Sequence, residues 1–344
     1  MTPLARASKR VGLFLLGLML LVTAGWGVLA LCYFDPVSPP LRIGLAAGFG
    51  VASLAALIGL TLPRWRWRAL AAYLLLFAVL LSAWNTMRPS NDRDWQPEVA
   101  VLPYATIDGD LVSMHNVRNF DYRSETDFTP AYYDKIYDLK QLDSVDLLTS
   151  YWMGPAIAHL FLSFGFGKDH LAISVEARKT RDEGYSSLKG FFRQYELIYV
   201  VGDERDLIRV RTNYRKDPPE EVYLYRLKGS AGDARRLFLA YVQNINALKE
   251  QPEFYNTLSS NCAGTIWINA RINPDHLPYS WKILLSGHAP EYLYESGRLD
   301  TSRPFPELQR RSRINSLAQA ADKAEDFSER IRAAPTDAQG GNSR

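Results

Sequence analysis

Val11 to Phe34, Ile43 to Leu62 and Ala69 to Met87 are strongly apolar runs with no charged residue. Each is long enough to cross a bilayer core as a helix, which takes roughly 20 apolar residues. Residues 1–90 are therefore expected to form a membrane anchor of three transmembrane helices. The first run is too long for a cleaved signal peptide and has no small-residue cleavage site before Asp35, so it reads as an anchor. An odd number of spans puts the two ends of the chain on opposite sides. Arg6, Lys9 and Arg10 precede the first span, and Arg64, Arg66 and Arg68 fill the loop between the second and third. The opposite loop, Asp35 to Arg42, has one arginine and one aspartate. Basic loops stay cytoplasmic, and Trp65, Trp67 and Trp84 suit the interfacial belts. The expected location is the inner (cytoplasmic) membrane, with a cytoplasmic N-terminus and a periplasmic C-terminal domain.

Beyond the spans the chain divides by composition. Residues 91–103 are polar and proline-bearing and read as a linker. Residues 104–302 hold the soluble domain, 303–334 read as one exposed helix, and 335–344 as a disordered tail. Within the domain, Tyr104 to Arg118 reads as strand and turn, and Tyr132 to Leu148 as a surface helix. His159 to Phe166 and Leu171 to Arg178 form a hairpin around Gly167-Lys168-Asp169, the returning strand alternating with period two. Tyr195 to Val201 and Leu207 to Thr212 read as a second strand pair, and Val222 to Leu227 as a further strand. Ala234 to Leu248 has helical periodicity. Strands followed by helices make this an α+β domain.

The net charge is +3 with dispersed basic residues, so nucleic acid is not an expected partner. There is no His-Glu-x-x-His, no cysteine pair and no glycine-rich phosphate loop, so neither metal nor cofactor is expected. The charged run Asp203-Glu204-Arg205-Asp206 reads as a solvated turn.

The chain has two cysteines. Cys32 lies in the first span and Cys262 in the soluble part, so there is no disulfide framework. A lone thiol in an oxidising compartment is a liability unless it is buried or used. Ser259, Ser260 and Asn261 are N-cap types, and Ile266-Trp267-Ile268 continues an apolar helix, so Cys262 is expected in a first helical turn. There the free amides and the helix dipole favour thiolate. The plainer alternative is a buried structural cysteine.

A nucleophilic cysteine needs an imidazole. Of the five histidines, His276 and His288 fall in loop-like sequence, His115 beside an aromatic polar run, and His170 behind a wet turn. His159 enters an apolar strand directly, which would hold its ring rigidly. A third group fixes the tautomer in triads. Glu176 and Ser174 on the returning strand are within reach, although Glu176 has Arg178 as an alternative partner. Asn261 and the Tyr255 hydroxyl are candidate oxyanion donors with the Cys262 N–H, unless Asn261 simply caps the helix.

The order histidine, strand, short turn, strand, then Asn-Cys at a helix start resembles the circularly permuted papain-like fold of lecithin:retinol acyltransferase and its phospholipid-acyltransferase relatives. A nearer resemblance is carried by Asn116-Val117-Arg118-Asn119-Phe120, Ser163-Phe164-Gly165-Phe166, Ile173-Ser174-Val175-Glu176-Ala177-Arg178, Tyr195-Glu196-Leu197-Ile198-Tyr199 and Tyr255-Asn256-Thr257 with Asn261-Cys262. These are similar, in order, to the bacterial family called the Lnb N-terminal periplasmic domain, over roughly residues 105–275. That family takes its name from a lipoprotein N-acyltransferase with a papain-like cysteine. The resemblance implies His159 and Cys262 as its histidine and cysteine. Where the retinol-acylating relatives place a second histidine on the returning strand, this chain has Ser174-Val175-Glu176, which implies Glu176 as third member.

The expected protein is a membrane-anchored periplasmic thiol enzyme that forms an acyl-cysteine and acts on lipid or lipoprotein. Two alternatives stand beside it. One is a cell-wall amidase or peptidase, which needs a cleft wide enough for a peptide. The other is a non-catalytic envelope scaffold with Cys262 far from every histidine.

Overall fold

Large apolar side chains face outward on the N-terminal helices: Phe14, Leu21, Ile43, Val51, Leu75 and Val79 are all exposed, the reverse of a helix bundle built for water. The computed structural model describes residues 3–333, which fall into two units. The first comprises helices α1 (Pro3–Cys32), α2 (Pro39–Thr61) and α3 (Arg66–Trp84), joined by the later segment 186–194 with its short α4 (Ser187–Gly190). The three long helices are long and apolar enough to cross a membrane. Between them Leu20, Ala24, Phe49, Ala56, Tyr73 and Leu80 are buried, and Thr23 Oγ1 lies 2.8 Å from the Tyr73 hydroxyl. A side chain at Gly27 would strike the rings and methyls of Phe49 and Leu80, so glycine permits this close helix approach. From the 186–194 segment, Phe192 stacks on Tyr33 at 5.3 Å and meets Trp84 edge-on. Gln194 donates to the Tyr33 carbonyl and Arg193 to that of Trp84.

The second unit, residues 91–185 with 195–333, is built on one mixed sheet. Its strands are β1 (Tyr104–Asp108), β2 (Leu111–Arg118), β5 (Tyr132–Asp138), β6 (Leu142–Tyr151), β7 (His159–Phe166), β8 (Asp169–Arg178), β9 (Glu196–Gly202) and β10 (Glu221–Arg226). A separate small pair is formed by β3 (Asp121–Tyr122) and β4 (Phe128–Thr129). The order is β1-β2-β9-β8-β7-β6-β10, with β5 also on β2, and the pairing is antiparallel except for β2 with β9. Both faces are covered. Leu162, Phe164, Ile173 and Val175 pack under α6 (Ala231–Glu250) through Phe238, Tyr241 and Ile245. On the opposite face Phe161, Ala172 and Ile198 meet Leu207 and Ile208 of α5 (Glu204–Arg209).

Four expectations are corrected. The 91–103 stretch is not a free linker. Trp95 pairs with Thr180, and the Arg178 guanidinium lies 4.2 Å over its ring while donating to the Val99 and Ala100 carbonyls. Residues 132–148 form β5 and β6 rather than a helix, because β6 is buried on both faces and loses its period-two signature. Residues 207–212 continue a helix, capped where Asp203 accepts from the Arg205 N–H, and pass into a π turn, Val210–Tyr214. The single exposed helix expected over 303–334 is three short ones, α10 (Phe305–Ser312), α11 (Asn315–Ala320) and α12 (Phe327–Arg330). Ile314, Ala318, Phe327 and Ile331 bury themselves with α5 on the sheet. The tail expected over 335–344 lies outside the described residues.

Candidate active site

The site begins with strand register. Phe161 on β7 pairs with Ser174 on β8, so His159, two residues earlier, falls opposite Glu176, two residues later. Side chains two apart share a face. His159, Ser174 and Glu176 therefore converge. His159 Nε2 lies 2.7 Å from Ser174 Oγ and 3.1 Å from Glu176 Oε1, and Ser174 donates its own proton to Glu176 Oε1 at 2.7 Å. A serine that gives its proton to the carboxylate can only accept from the ring. That fixes the proton on Nε2 and leaves Nδ1 as the basic nitrogen.

The cysteine arrives on α7 (Cys262–Ala270). Its approach is pinned to β9: the Leu197 N–H donates to the Glu253 carbonyl and the Tyr255 N–H to that of Tyr195. Asn256 then turns the chain by accepting from the Leu258 and Ser259 N–H groups. Asn261 caps α7, its Oδ1 accepting from the Gly264 N–H and its Nδ2 donating to the Thr257 carbonyl, both at 2.7 Å. With both ends of the amide in use, Asn261 fixes the first turn. Cys262 is half-buried at that turn. Its sulfur is close enough to the His159 ring and the Leu160 N–H for both to lower its pKa. The amides of Cys262 and Ala263 have no acceptor within the helix, as at any helix start.

Electrostatics follow from these contacts. Burial alone would lower the His159 pKa, but the Glu176 charge, then Cys262 and the hydrogen bonds to both, raise it to about 9. Burial pushes the Cys262 thiol up, yet the His159 charge, its hydrogen bond and the Leu160 N–H bring it below the ordinary thiol value. Glu176 is held well below the usual carboxylate range: burial opposes this, and His159, Arg211 and the Ser174 hydroxyl overcome it. Both shifts run in the direction that favours a thiolate–imidazolium pair.

Arg211, which the sequence did not point to, anchors the acid. Its Nη2 donates to Glu176 Oε1 at 2.7 Å and its guanidinium lies 4.9 Å over Phe161. Behind it Glu220 takes Arg215 Nη1 at 2.6 Å and the Ser150 hydroxyl. Arg211 stands 35 positions after Glu176 in a helix that read as strand, so no local pattern announced it. Arg178, the expected rival for Glu176, is committed to Trp95 and the 99–100 carbonyls instead. Tyr255 is buried, with Tyr185 beside it. Burial, then Tyr185 and Cys262, keep its hydroxyl protonated and able to donate. The other histidines have other company: His115 with Asp134 at 2.7 Å, His170 near the Lys168 carbonyl, His276 with the Asn273 carbonyl, His288 against Trp281. Among the described residues no three His, Cys, Asp or Glu side chains gather as a metal would need.

Residues 128–287 match the family model described as the Lnb N-terminal periplasmic domain. The chain carries an Lnb N-terminal periplasmic domain. The match takes in His159, Ser174, Glu176, Arg211 and Cys262, and it leaves β1 to β3 and helices α10 to α12 outside. No curated protein and no solved structure matches the chain. With three membrane-length helices ahead of its Lnb domain, this is a membrane-anchored protein with a periplasmic domain.

Proposed function

We propose that the protein is a thiol acyltransferase acting on lipid or lipoprotein from the periplasmic face of the inner membrane, its N-terminus cytoplasmic, on a circularly permuted papain-like domain. The observation that carries this reading is the electrostatic pairing of Cys262 with His159, each shifting the other's pKa, with His159 backed by Ser174 and Glu176. In this reading the Cys262 thiolate adds to an ester carbonyl, and the first-turn amides with the Tyr255 hydroxyl receive the developing oxyanion. The ester C–O bond breaks, the departing alkoxide takes the proton from His159, and a thioester remains on Cys262. An acceptor amine then gives a proton to His159 as its nitrogen attacks, and the thiolate leaves.

Support for an acyl substrate comes from a neighbouring cavity of about 200 Å³, lined by Leu147, Leu160, Leu237, Ile266, Trp267 and Ile283. An apolar cavity of about 150 Å³ holds benzene, so this one has room for part of an alkyl chain. Leu160 and Ala263, each adjacent to a reacting residue, stand in its wall. A pocket of this kind suits an alkyl chain better than the peptide of a cell-wall amidase. The test is a lipid-ester activity probe that labels nucleophilic thiols, applied to wild type, Cys262→Ala and His159→Ala. Labelling of the wild type alone is expected. Equal labelling of His159→Ala would remove that ring as the base, and full labelling of Cys262→Ala would end the thiol reading.

A further inference from the structure

Two loops beside His159 carry exposed apolar side chains that nothing in the domain covers. The β6–β7 connection, residues 152–158, has no charged residue and presents Met153 and Ile157, 67% and 40% exposed. Residues 277–289, which include α8 (Trp281–Leu284), present Trp281, Leu284 and Leu285. Their single lysine, Lys282, is held by Glu291 and Glu295 at 3.0 and 2.8 Å. The two loops are one surface. The Gly287 N–H donates to the Ala156 carbonyl, the Tyr151 hydroxyl to the Gly287 carbonyl, and Ser286 Oγ both accepts from the Ala158 N–H and donates to its carbonyl. A side chain at Gly287 would strike the Pro155 carbonyl, so the approach requires glycine. The same 277–289 stretch walls the apolar cavity from inside through Leu277, Ile283 and Ala289.

Clustered exposed apolar residues mark an interaction surface. The occupant is indicated by the chain itself. The third span ends at Trp84 and the domain begins at Asn91, a connection of residues 85–90 that reaches at most about 20 Å even when extended, and the chain returns to the helical unit at 186–194. We infer that the rim formed by residues 152–158 and 277–289 dips into the outer leaflet of the bilayer the chain spans. Tryptophan and flanking aliphatic residues are the side chains such an interface favours. The inference deepens the acyl-substrate reading, because it lets an acyl chain leave the bilayer beside His159 without crossing water.

The test uses the full chain in nanodiscs of phosphatidylethanolamine and phosphatidylglycerol, with Cys32→Ser and Cys262→Ser. Single spin labels go to Met153→Cys, Ile157→Cys or Leu284→Cys, all exposed, and to Ile136→Cys on β5 as an exposed control. Collision with oxygen relative to a water-soluble nickel chelate is expected to be severalfold higher at the three rim positions than at Ile136→Cys. Equal, water-like values at all four would overturn the inference, as would dipolar broadening showing a second copy on the rim. Since Cys262 is absent here, failure of docking is distinguishable from failure of the thiol chemistry, which the activity probe reads separately.

Discussion

Ser174 Oγ sits 2.7 Å from His159 Nε2 and passes its own proton to Glu176, also 2.7 Å away. The serine is a bridge, and the carboxylate remains 3.1 Å from the same nitrogen without it. Ser174→Ala is therefore expected to cost about 1 kcal/mol of ring fixation, less than tenfold in probe-labelling rate. Glu176→Gln removes the charge that raises the imidazole. Its loss is expected to be roughly ten- to a hundredfold, as for a hydrogen bond to a charged group. The alkaline limb of its rate profile should also move below that of wild type. If Ser174→Ala proves the more damaging change, the bridge is the essential element and Glu176 a bystander.

The paired shifts of Cys262 and His159 set a pH window for the thiolate. Cys262 lies below the ordinary thiol value, so alkylation by iodoacetamide should stay fast at pH values where a free thiol, near about 8.5, is mostly protonated. The imidazolium partner is lost near pH 9. In His159→Ala the alkylation profile should move up towards that of a free thiol. The stability sign follows from the same pair. A raised His159 contributes stability fully below its ordinary 6.5 and loses it as pH rises through about 9. The melting temperature of wild type, but not of His159→Ala, should decline over that interval.

Arg211 is 4% exposed at its side chain and stands between Glu176 at 2.7 Å and Glu220 at 4.0 Å. Arg211→Met would take one counter-charge from each of two carboxylates, Glu176 keeping His159 and Glu220 keeping Arg215, a loss of about 1.5–3 kcal/mol. Arg211→Lys should recover only part of it, because an ammonium cannot reproduce the guanidinium fork. Denaturant unfolding measures both. Wild-type stability in Arg211→Met would show that the acid is held by Ser174 and His159 alone.

Much of the site could be read from the chain because its parts are local. The β7–β8 hairpin announces itself by alternation and its turn, which puts His159, Ser174 and Glu176 on one face, and the Asn261 cap fixes where α7 begins. What could not be read depends on long-range burial. Tyr132 to Leu148 hides two strands because β6, sandwiched between layers, has no polar face to mark its period. Ile314, Ala318, Phe327 and Ile331 sit in a charge-rich segment, and only the sheet face they cover shows them to be core. Arg211 belongs to the same class. Its role comes from α5 and the π turn folding against β8, which nothing near it in sequence reveals.

Asn261 offers a test that separates capping from oxyanion binding. Its Oδ1 takes the Gly264 N–H and its Nδ2 serves the Thr257 carbonyl. Asn261→Ala removes both contacts, and loss of an N-cap of this kind costs about 1 kcal/mol, within a range of roughly 0.5–2. A frayed first turn would also blur the amides that face the sulfur, so the alkylation profile should rise in pH as the melting temperature falls. Asn261→Ser keeps a cap acceptor and should restore most of both, since serine caps about as well as asparagine. If Asn261 instead donates to the oxyanion, Asn261→Ser would melt like wild type yet lose acyl-probe labelling. The geometry predicts the first pattern, in which stability and labelling move together, because an amide bonded at both ends to the main chain is committed to shaping the turn that presents Cys262.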